Sequence, residues 1–73
     1  MITKKVGLRI KELRLSKNIS QEQCAMNANI NRAYLAGVEL GKRNISIINL
    51  NKICISFNIS LKDFFNSKIF NED

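Results

Sequence analysis

Residues 20–41, SQEQCAMNANINRAYLAGVELG, carry the strongest structural signal in the chain, because they specify two short helices and the turn between them. Ser20 has the features of an N-cap, since its hydroxyl can accept a hydrogen bond from the amide of Gln23. The Gln23 side chain can in turn reach back to Ser20. This pattern predicts a capping box at the start of a helix that ends near residue 27.

The turn that follows this helix contains no glycine. A sharp turn between two helices usually needs one residue at positive φ, and asparagine is the best non-glycine occupant of that region. We therefore place Asn29 in the left-handed conformation. Asn31 then caps a second helix over residues 32–40, which ends where Gly41 can form its C-terminal turn.

Three further helices accompany this pair, so the sequence predicts a compact five-helix, all-α fold. Apolar residues recur at helical spacing over residues 4–17, over residues 47–58 after the cap Ser46, and in a short segment after the cap Ser60. Residues 67–73 are expected to be frayed, although Ile69 and Phe70 are able to dock. The length of 73 residues predicts a single domain over 1–73.

Charge is unevenly distributed along the chain. The net charge is +6, and residues 1–52 carry ten basic and three acidic side chains, whereas residues 53–73 carry two and three. Such a distribution indicates one face for a polyanion and another for a different partner, the alternative being that the basic surface only aids solubility.

Composition also excludes several classes of protein. The chain has no histidine, no paired carboxylates and no glycine-rich phosphate loop, so neither an enzyme nor a metal or cofactor site is expected. No apolar run is long enough to span a membrane. Cys24 and Cys54 fall on apolar stripes and are predicted to be core residues, with a redox switch as the alternative. These features favour a reducing cytoplasm.

Two short helices joined by a tight turn form a helix-turn-helix motif, here over about residues 20–40. The second helix of such a motif enters the major groove of DNA and directs its first residues at base edges. The predicted base contacts are Asn31, Arg32, Ala33 and Tyr34. Arg32 can bond guanine, or its side chain is only solvated. Asn31 can bond a base, or it only caps the helix. For Tyr34 the alternatives to a base contact are a phosphate contact and packing at the edge of the core.

Residues on either side of this helix are predicted to hold the DNA backbone. The free amides near Ser20 and Gln21 suit a phosphate, as does the basic loop of Lys42, Arg43 and Asn44. Each has a simpler alternative: Gln21 serves only the helix start, the two basic residues only offset the helix dipole, and Asn44 only forms a turn.

The chain resembles the XRE-type helix-turn-helix family of Cro and lambda-repressor-like regulators over about residues 6–65. The resemblance is carried by SQEQCA (20–25), NRAYL (31–35) and ELGKRNISI (39–47), and it is most similar to controller proteins of restriction–modification systems. Cys24 replaces the usual leucine and Asn29 the usual glycine. Ala33 stands where controllers often carry a hydroxyl residue, so their operator sequence cannot be transferred to this chain.

The resemblance implies a sequence-specific regulator that controls a restriction–modification operon, including its own gene, by activation at low occupancy and repression at high occupancy. The resemblance places Arg32, Ala33 and Tyr34 on the recognition helix. It places Gln21, Arg43 and Asn44 at positions that contact the DNA backbone. It also implies an ion pair between Arg14 and Glu39, with a structural role. Glu22 is a candidate contact to RNA polymerase, the alternative being a solvated charge.

The C-terminal third is more apolar than a monomer of this size needs, which favours a homodimer with its interface in about residues 46–70. The predicted interface residues are Ile48, Ile55, Phe64, Phe65, Ile69 and Phe70. A dimer would read a palindrome in double-stranded DNA, and two dimers on one operator are conceivable. The alternatives are a phage-type repressor and an antitoxin or adaptor that acts through protein–protein contacts.

Overall fold

The computed structural model describes residues 1–71, which contain five α-helices and no strand. The helices are α1 (Ile2–Ser16), α2 (Gln21–Ala28), α3 (Arg32–Glu39), α4 (Ile47–Ser56) and α5 (Leu61–Phe65), followed by a short 3₁₀ turn (Lys68–Phe70). The predicted five-helix, all-α fold is confirmed. None of these helices combines the length and hydropathy that crossing a bilayer would require.

Side-chain caps begin four of the five helices. In each case the cap oxygen accepts a hydrogen bond from the amide three residues later, a contact worth about 1 kcal/mol. The pairs are Ser20 with Gln23, Asn31 with Tyr34, Ser46 with Asn49, and Ser60 with Asp63. These local bonds explain why helix starts were predictable from the sequence.

The reciprocal half of the predicted capping box is wrong. The Gln23 amide Nε2 donates to Asn27 Oδ1 at 2.8 Å instead of reaching back to Ser20. Asn27 lies one turn further along the same helix, where side chains four residues apart are neighbours. The amide therefore has a partner on its own helical surface.

Three asparagines, and not one, adopt the left-handed conformation. Asn29 has φ 56° and ψ 49°, which confirms its prediction. Asn18 (φ 56°) and Asn58 (φ 59°) do the same after α1 and α4, and Gly41 follows α3 with φ 77°. The chain thus ends four of its helices with a residue at positive φ, of which only one is a glycine.

One buried cluster joins all five helices. Its members are Val6, Ile10, Cys24, Ala25, Ala28, Leu35, Val38, Leu50, Ile53, Cys54, Phe57 and Phe64. Gly7 of α1 lies against the backbone carbonyls of Val38 and Glu39, and an added Cβ would collide with them. This close approach packs α1 against the inner face of α3 and leaves the other face of α3 outward.

For the described part of the C-terminal segment, the predicted fraying is wrong and the alternative, docking of Phe70, is confirmed. The segment Lys68–Phe70 forms a 3₁₀ turn, and the Phe70 ring lies 5.0 Å from Phe65 and 6.1 Å from Phe64. Aromatic packing holds it, because rings at these distances attract one another and bury apolar area. The remainder of that prediction, Glu72 and Asp73, lies outside the described residues.

Arg9 of α1 ties α5 to the domain. Its Nε donates to the Phe64 carbonyl oxygen at 2.7 Å and its Nη2 donates to the Asp63 carbonyl oxygen at 2.9 Å. These carbonyls lie in the last turn of α5, where intrahelical donors run out; the Asp63 carbonyl also accepts from the Asn66 amide at 3.2 Å. The arginine therefore caps α5 from a distant part of the sequence.

Candidate nucleic-acid interface

The start of α3 forms an exposed polar surface. Asn31, Arg32 and Ala33 are exposed, whereas Leu35 and Val38 on the opposite side of the helix are buried. The helix is thus anchored by its apolar side while its first turn faces outward. Three of the four predicted base-contacting residues are brought together here, in a geometry that can enter a groove.

Tyr34, the fourth, leans toward the loop that follows α3. Its hydroxyl lies 3.3 Å from the carbonyl oxygen of Asn44, to which it donates, and accepts from the Asn49 amide at 3.4 Å. The guanidinium carbon of Arg43 lies 5.4 Å from the centre of the Tyr34 ring, within the range of a cation–π contact. The structure places Tyr34 beside the predicted backbone-contacting residues, and its base contact stays a prediction.

Sequence reasoning did not include Asn49 in this site. It lies on α4, in the first turn after the cap Ser46, and its amide reaches Tyr34 across 15 residues of chain. The polar residue at this otherwise apolar helix start was the available signal. Its partner could not be inferred, because the crossing of α4 and α3 is a tertiary feature.

The loop after α3 presents the three predicted phosphate contacts. Lys42, Arg43 and Asn44 are all exposed. Two cations at this end of α3 lie beside its partial negative charge, so they also offset the helix dipole. The two interpretations are compatible, because an exposed cation can do both.

The start of α2 supplies the other side of the surface. Ser20 uses its hydroxyl to cap α2, while the half-buried Gln21 donates from Nε2 to Glu39 Oε1 at 3.1 Å. Gln21 is therefore fixed to the far end of α3 and does more than begin its own helix. Contact of either residue with DNA stays a prediction.

A buried ion pair fixes the position of α3. Arg14 Nε donates to Glu39 Oε2 at 2.8 Å and its Nη2 donates to Oε1 at 3.0 Å, a two-pronged arrangement. Nη1 donates to the Ile19 carbonyl oxygen at 2.8 Å. The hydrogen bond to Glu39 raises the pKa of Arg14, although burial acts in the opposite direction. This arrangement joins α1, the turn before α2, and α3 through fully satisfied polar groups.

A second surface, on α4 and α5, is apolar. The side chains of Ile48 and Ile55 are 68% and 69% exposed, and Phe65 is 40% exposed. Ile69 and Phe70 are half-buried. Phe64 is wrong as a predicted interface residue: its exposure is 0%, because it packs in the core beneath α1. We call Ile48, Ile55 and Phe65 the apolar patch.

Both cysteines lie in the core, as predicted. Burial raises the pKa of the Cys24 thiol and of the Cys54 thiol above the ordinary value, so both are held in the protonated form. Within residues 1–71 no three histidine, cysteine or acidic side chains are grouped so as to hold a metal ion.

The fold and this surface define a helix-turn-helix protein, and comparison with known proteins agrees. The family model described as "Helix-turn-helix" matches residues 10–64. The chain belongs to this family.

Its relatives include restriction–modification controllers. The chain is 40% identical over 60 residues to control protein C.MunI from Mycoplasma sp., covering 81% of each chain. It is similar to the controller C.AhdI from Aeromonas hydrophila, with TM-score 0.83 and 38% identity over 86% of this chain and 96% of that one. It is also similar to the C.Esp1396I controller, solved as a tetramer with its natural 35-base-pair operator, with TM-score 0.90, 32% identity and coverage of 99% and 97%.

Proposed function

We propose that this chain is a sequence-specific DNA-binding transcription regulator that controls a restriction–modification system. The observation that carries the proposal is the outward-facing first turn of α3, with exposed Arg32, beside the exposed cations Lys42 and Arg43 on a chain of net charge +6. An α-helix fits the major groove, and flanking cations fix its register on the backbone.

Each part of the surface has its own chemical task. Arg32 donates to O6 and N7 of a guanine, a two-pronged contact worth about 1–3 kcal/mol of discrimination. Asn31 is occupied by its cap, with Oδ1 accepting from the Tyr34 amide at 3.0 Å, so its free amide group is what remains for a base. Ala33 offers a methyl group to thymine. Lys42 and Arg43 bind phosphates, which sets affinity without reading sequence.

The protein acts as a homodimer joined through the apolar patch. A two-fold axis there would repeat the recognition helix about 34–36 Å away, one turn of DNA, so that the dimer reads a palindrome. The tetrameric operator complex of the similar C.Esp1396I supports two dimers on one operator. Binding to its own promoter then makes expression depend steeply on protein concentration.

The cellular location and the further partners of the protein follow from the same function. The protein works in the cytoplasm, where the operator DNA is found, and it acts by binding and not by catalysis, since the surface around α3 provides binding groups. Glu22, exposed on α2, is the proposed contact to RNA polymerase when the protein activates. No feature of residues 1–71 favours an antitoxin or adaptor in preference to this function.

The decisive experiment selects duplexes from a random pool with the wild-type protein and then measures binding of Arg32→Ala. We expect the selected sites to be palindromic. The variant should lose about 1–3 kcal/mol of preference for the selected duplex over an unrelated one, with an unchanged circular dichroism spectrum.

Lys62→Ala is the matched control, since it removes an exposed cation from α5, outside the proposed DNA-binding surface. It should retain the full preference. Equal preference in wild type and Arg32→Ala would remove Arg32 from base reading, and the absence of any enriched site would contradict sequence-specific binding.

A further inference from the structure

Gly37 differs from the other two glycines in what it contacts. Gly41 has positive φ, and Gly7 lies against the backbone of α3, so both have conformational or packing reasons to lack a side chain. Gly37 lies within α3 and does not have positive φ, so its backbone conformation does not require glycine, and glycine there is destabilising relative to alanine. Its occurrence there calls for another reason.

The neighbour of Gly37 is the side chain of Arg43. A Cβ on residue 37 would lie 2.6 Å from Arg43 Cγ, and 3.6 and 3.7 Å from Arg43 Cβ and Cδ. The aliphatic part of Arg43 thus crosses α3 at the one position where the helix has no side chain. Its guanidinium continues to the Tyr34 ring, with 5.4 Å between the guanidinium carbon and the ring centre.

Tyr34 is itself held in place. Its hydroxyl bonds the Asn44 carbonyl oxygen and the Asn49 amide, at 3.3 and 3.4 Å, so the ring is fixed between the loop and α4. A long arginine otherwise loses rotamer freedom when it binds a ligand. Arg43 remains exposed although its side chain rests on α3 and on the fixed Tyr34 ring. It therefore loses less rotamer freedom when it binds a phosphate.

We propose that Gly37 is a positioning residue for phosphate binding: the missing side chain makes the seat that holds Arg43 beside the recognition helix, with Asn49 steadying the Tyr34 platform. The inference rests on the proposed DNA-binding function and deepens it. Gly37 itself contacts no DNA in this account. Its effect is transmitted through Arg43 alone, which gives a sharp test.

The test compares wild type, Gly37→Ala, Arg43→Ala and the double variant. Each is titrated over a range of salt concentrations with the selected palindromic duplex and with an unrelated duplex of equal length. Gly37→Ala should weaken binding to both duplexes about tenfold, as expected for one lost charged contact. The slope of log affinity against log salt should fall by up to about 0.9 for each bound subunit.

Two further readouts separate positioning from a structural role. The melting temperature of Gly37→Ala should equal or exceed that of wild type, because alanine favours the helix and the arginine can swing aside. In the double variant the alanine should add nothing to the loss from Arg43→Ala, because there is no long side chain left to displace.

The outcomes are distinguishable. If wild type binds the selected duplex and Gly37→Ala binds it equally with the same salt slope, the role of Gly37 is overturned while the proposed function stands. Weaker DNA binding by the double variant than by Arg43→Ala would also overturn the role of Gly37, since the added methyl group would then obstruct DNA directly. If wild type binds neither duplex, the proposed function fails and the inference with it.

Asn49→Ala provides a second route should Gly37→Ala fail to fold. Removal of the amide donor should reduce affinity for both duplexes by a smaller factor than Gly37→Ala does. The loss should vanish when Arg43 is already alanine. An equal loss in both backgrounds would assign Asn49 to some task other than steadying the platform.

Discussion

The two outward surfaces of this small domain differ in both chemistry and support. The surface around α3 is polar and basic, with exposed Arg32, Lys42 and Arg43, and it belongs to the part of the chain that carries most of the positive charge. The apolar patch on α4 and α5 exposes Ile48, Ile55 and Phe65, and two of these, Ile55 and Phe65, fall in the nearly neutral segment 53–73. One chain thus presents a surface suited to a polyanion and another suited to an apolar partner.

Helix α1 supports each surface with one arginine. Arg14 holds the α3 side through the buried carboxylate of Glu39, whereas Arg9 holds the α5 side through the carbonyls of Asp63 and Phe64. The first interaction joins two buried opposite charges, whereas the second joins Arg9 to neutral carbonyls and to the exposed carboxylate of Glu12, 2.7 Å from its Nη1. Removal of each arginine should therefore lower the free energy of unfolding by a different amount.

The largest expected effect is on folding stability. Arg14→Ala should lower the free energy of unfolding by about 3–5 kcal/mol, because it leaves the Glu39 carboxylate buried without its counter-ion. Arg9→Ala should cost only about 1–3 kcal/mol, since it removes hydrogen bonds to neutral carbonyls and leaves no buried charge without a counter-ion. Urea titration followed by circular dichroism measures both.

The double variant Arg14→Ala/Glu39→Ala is the control. It should be less destabilised than the sum of the two single variants, because neither charge is then stranded. Equal losses for Arg14→Ala and Arg9→Ala would contradict the distinction between the two supports.

The next effect concerns association through the apolar patch. Ile55→Asp should raise the dimer dissociation constant at least about 100-fold, since burial of an isoleucine contributes about 1.5–3 kcal/mol and a two-fold interface contains it twice. Sedimentation equilibrium measures the shift. Leu15→Asp is the matched control, because Leu15 is 55% exposed on α1, outside the patch. Dissociation by Leu15→Asp and not by Ile55→Asp would move the interface elsewhere.

The smallest effect is on the pH dependence of stability, and it compares one buried thiol from each part of the chain. Cys24 lies on α2 and Cys54 on α4, and burial raises the pKa of both in the folded state. Stability is therefore constant below the unfolded thiol pKa of about 8.5 and falls as pH rises above it, by at most about 1.4 kcal/mol per pH unit for each thiol.

Unfolding titrations at neutral and alkaline pH measure this dependence. The single variants Cys24→Ala and Cys54→Ala should each remove part of the alkaline decline, and the double variant should remove the contribution of both thiols. If the free energy of unfolding falls as steeply at alkaline pH in the double variant as in wild type, groups other than the two thiols cause the fall.

Sequence reasoning succeeded where the interactions are local. The caps Ser20, Asn31, Ser46 and Ser60 each bond an amide three residues away, and Asn29 adopts its left-handed conformation within a single turn. These features follow from the residue type and its immediate neighbours. The helix-turn-helix motif was predictable for the same reason, since its two helices are adjacent in the chain.

Errors and omissions arose where distant segments meet. Phe64 is predicted at an interface and is a core residue: its ring joins the buried cluster, and Arg9 bonds its backbone carbonyl. The sequence allows both fraying and docking of residues 68–70, and in the structure they pack through Phe70. Neither outcome is encoded in local spacing, since an apolar residue on a short helix has no preference between core and interface.

Local sequence alone is enough to predict the capped starts of α2 to α5, the turn at Asn29 and the excess of basic residues before residue 53, whereas α1, which has no side-chain cap, begins at Ile2 and not at residue 4. Three features follow from how the helices cross: Phe64 completes the core, Tyr34 bonds Asn49, and Arg43 lies over Gly37. The physical reason is range: caps and turns are satisfied within a few residues, whereas side-chain packing depends on the crossing of helices that many contacts set together.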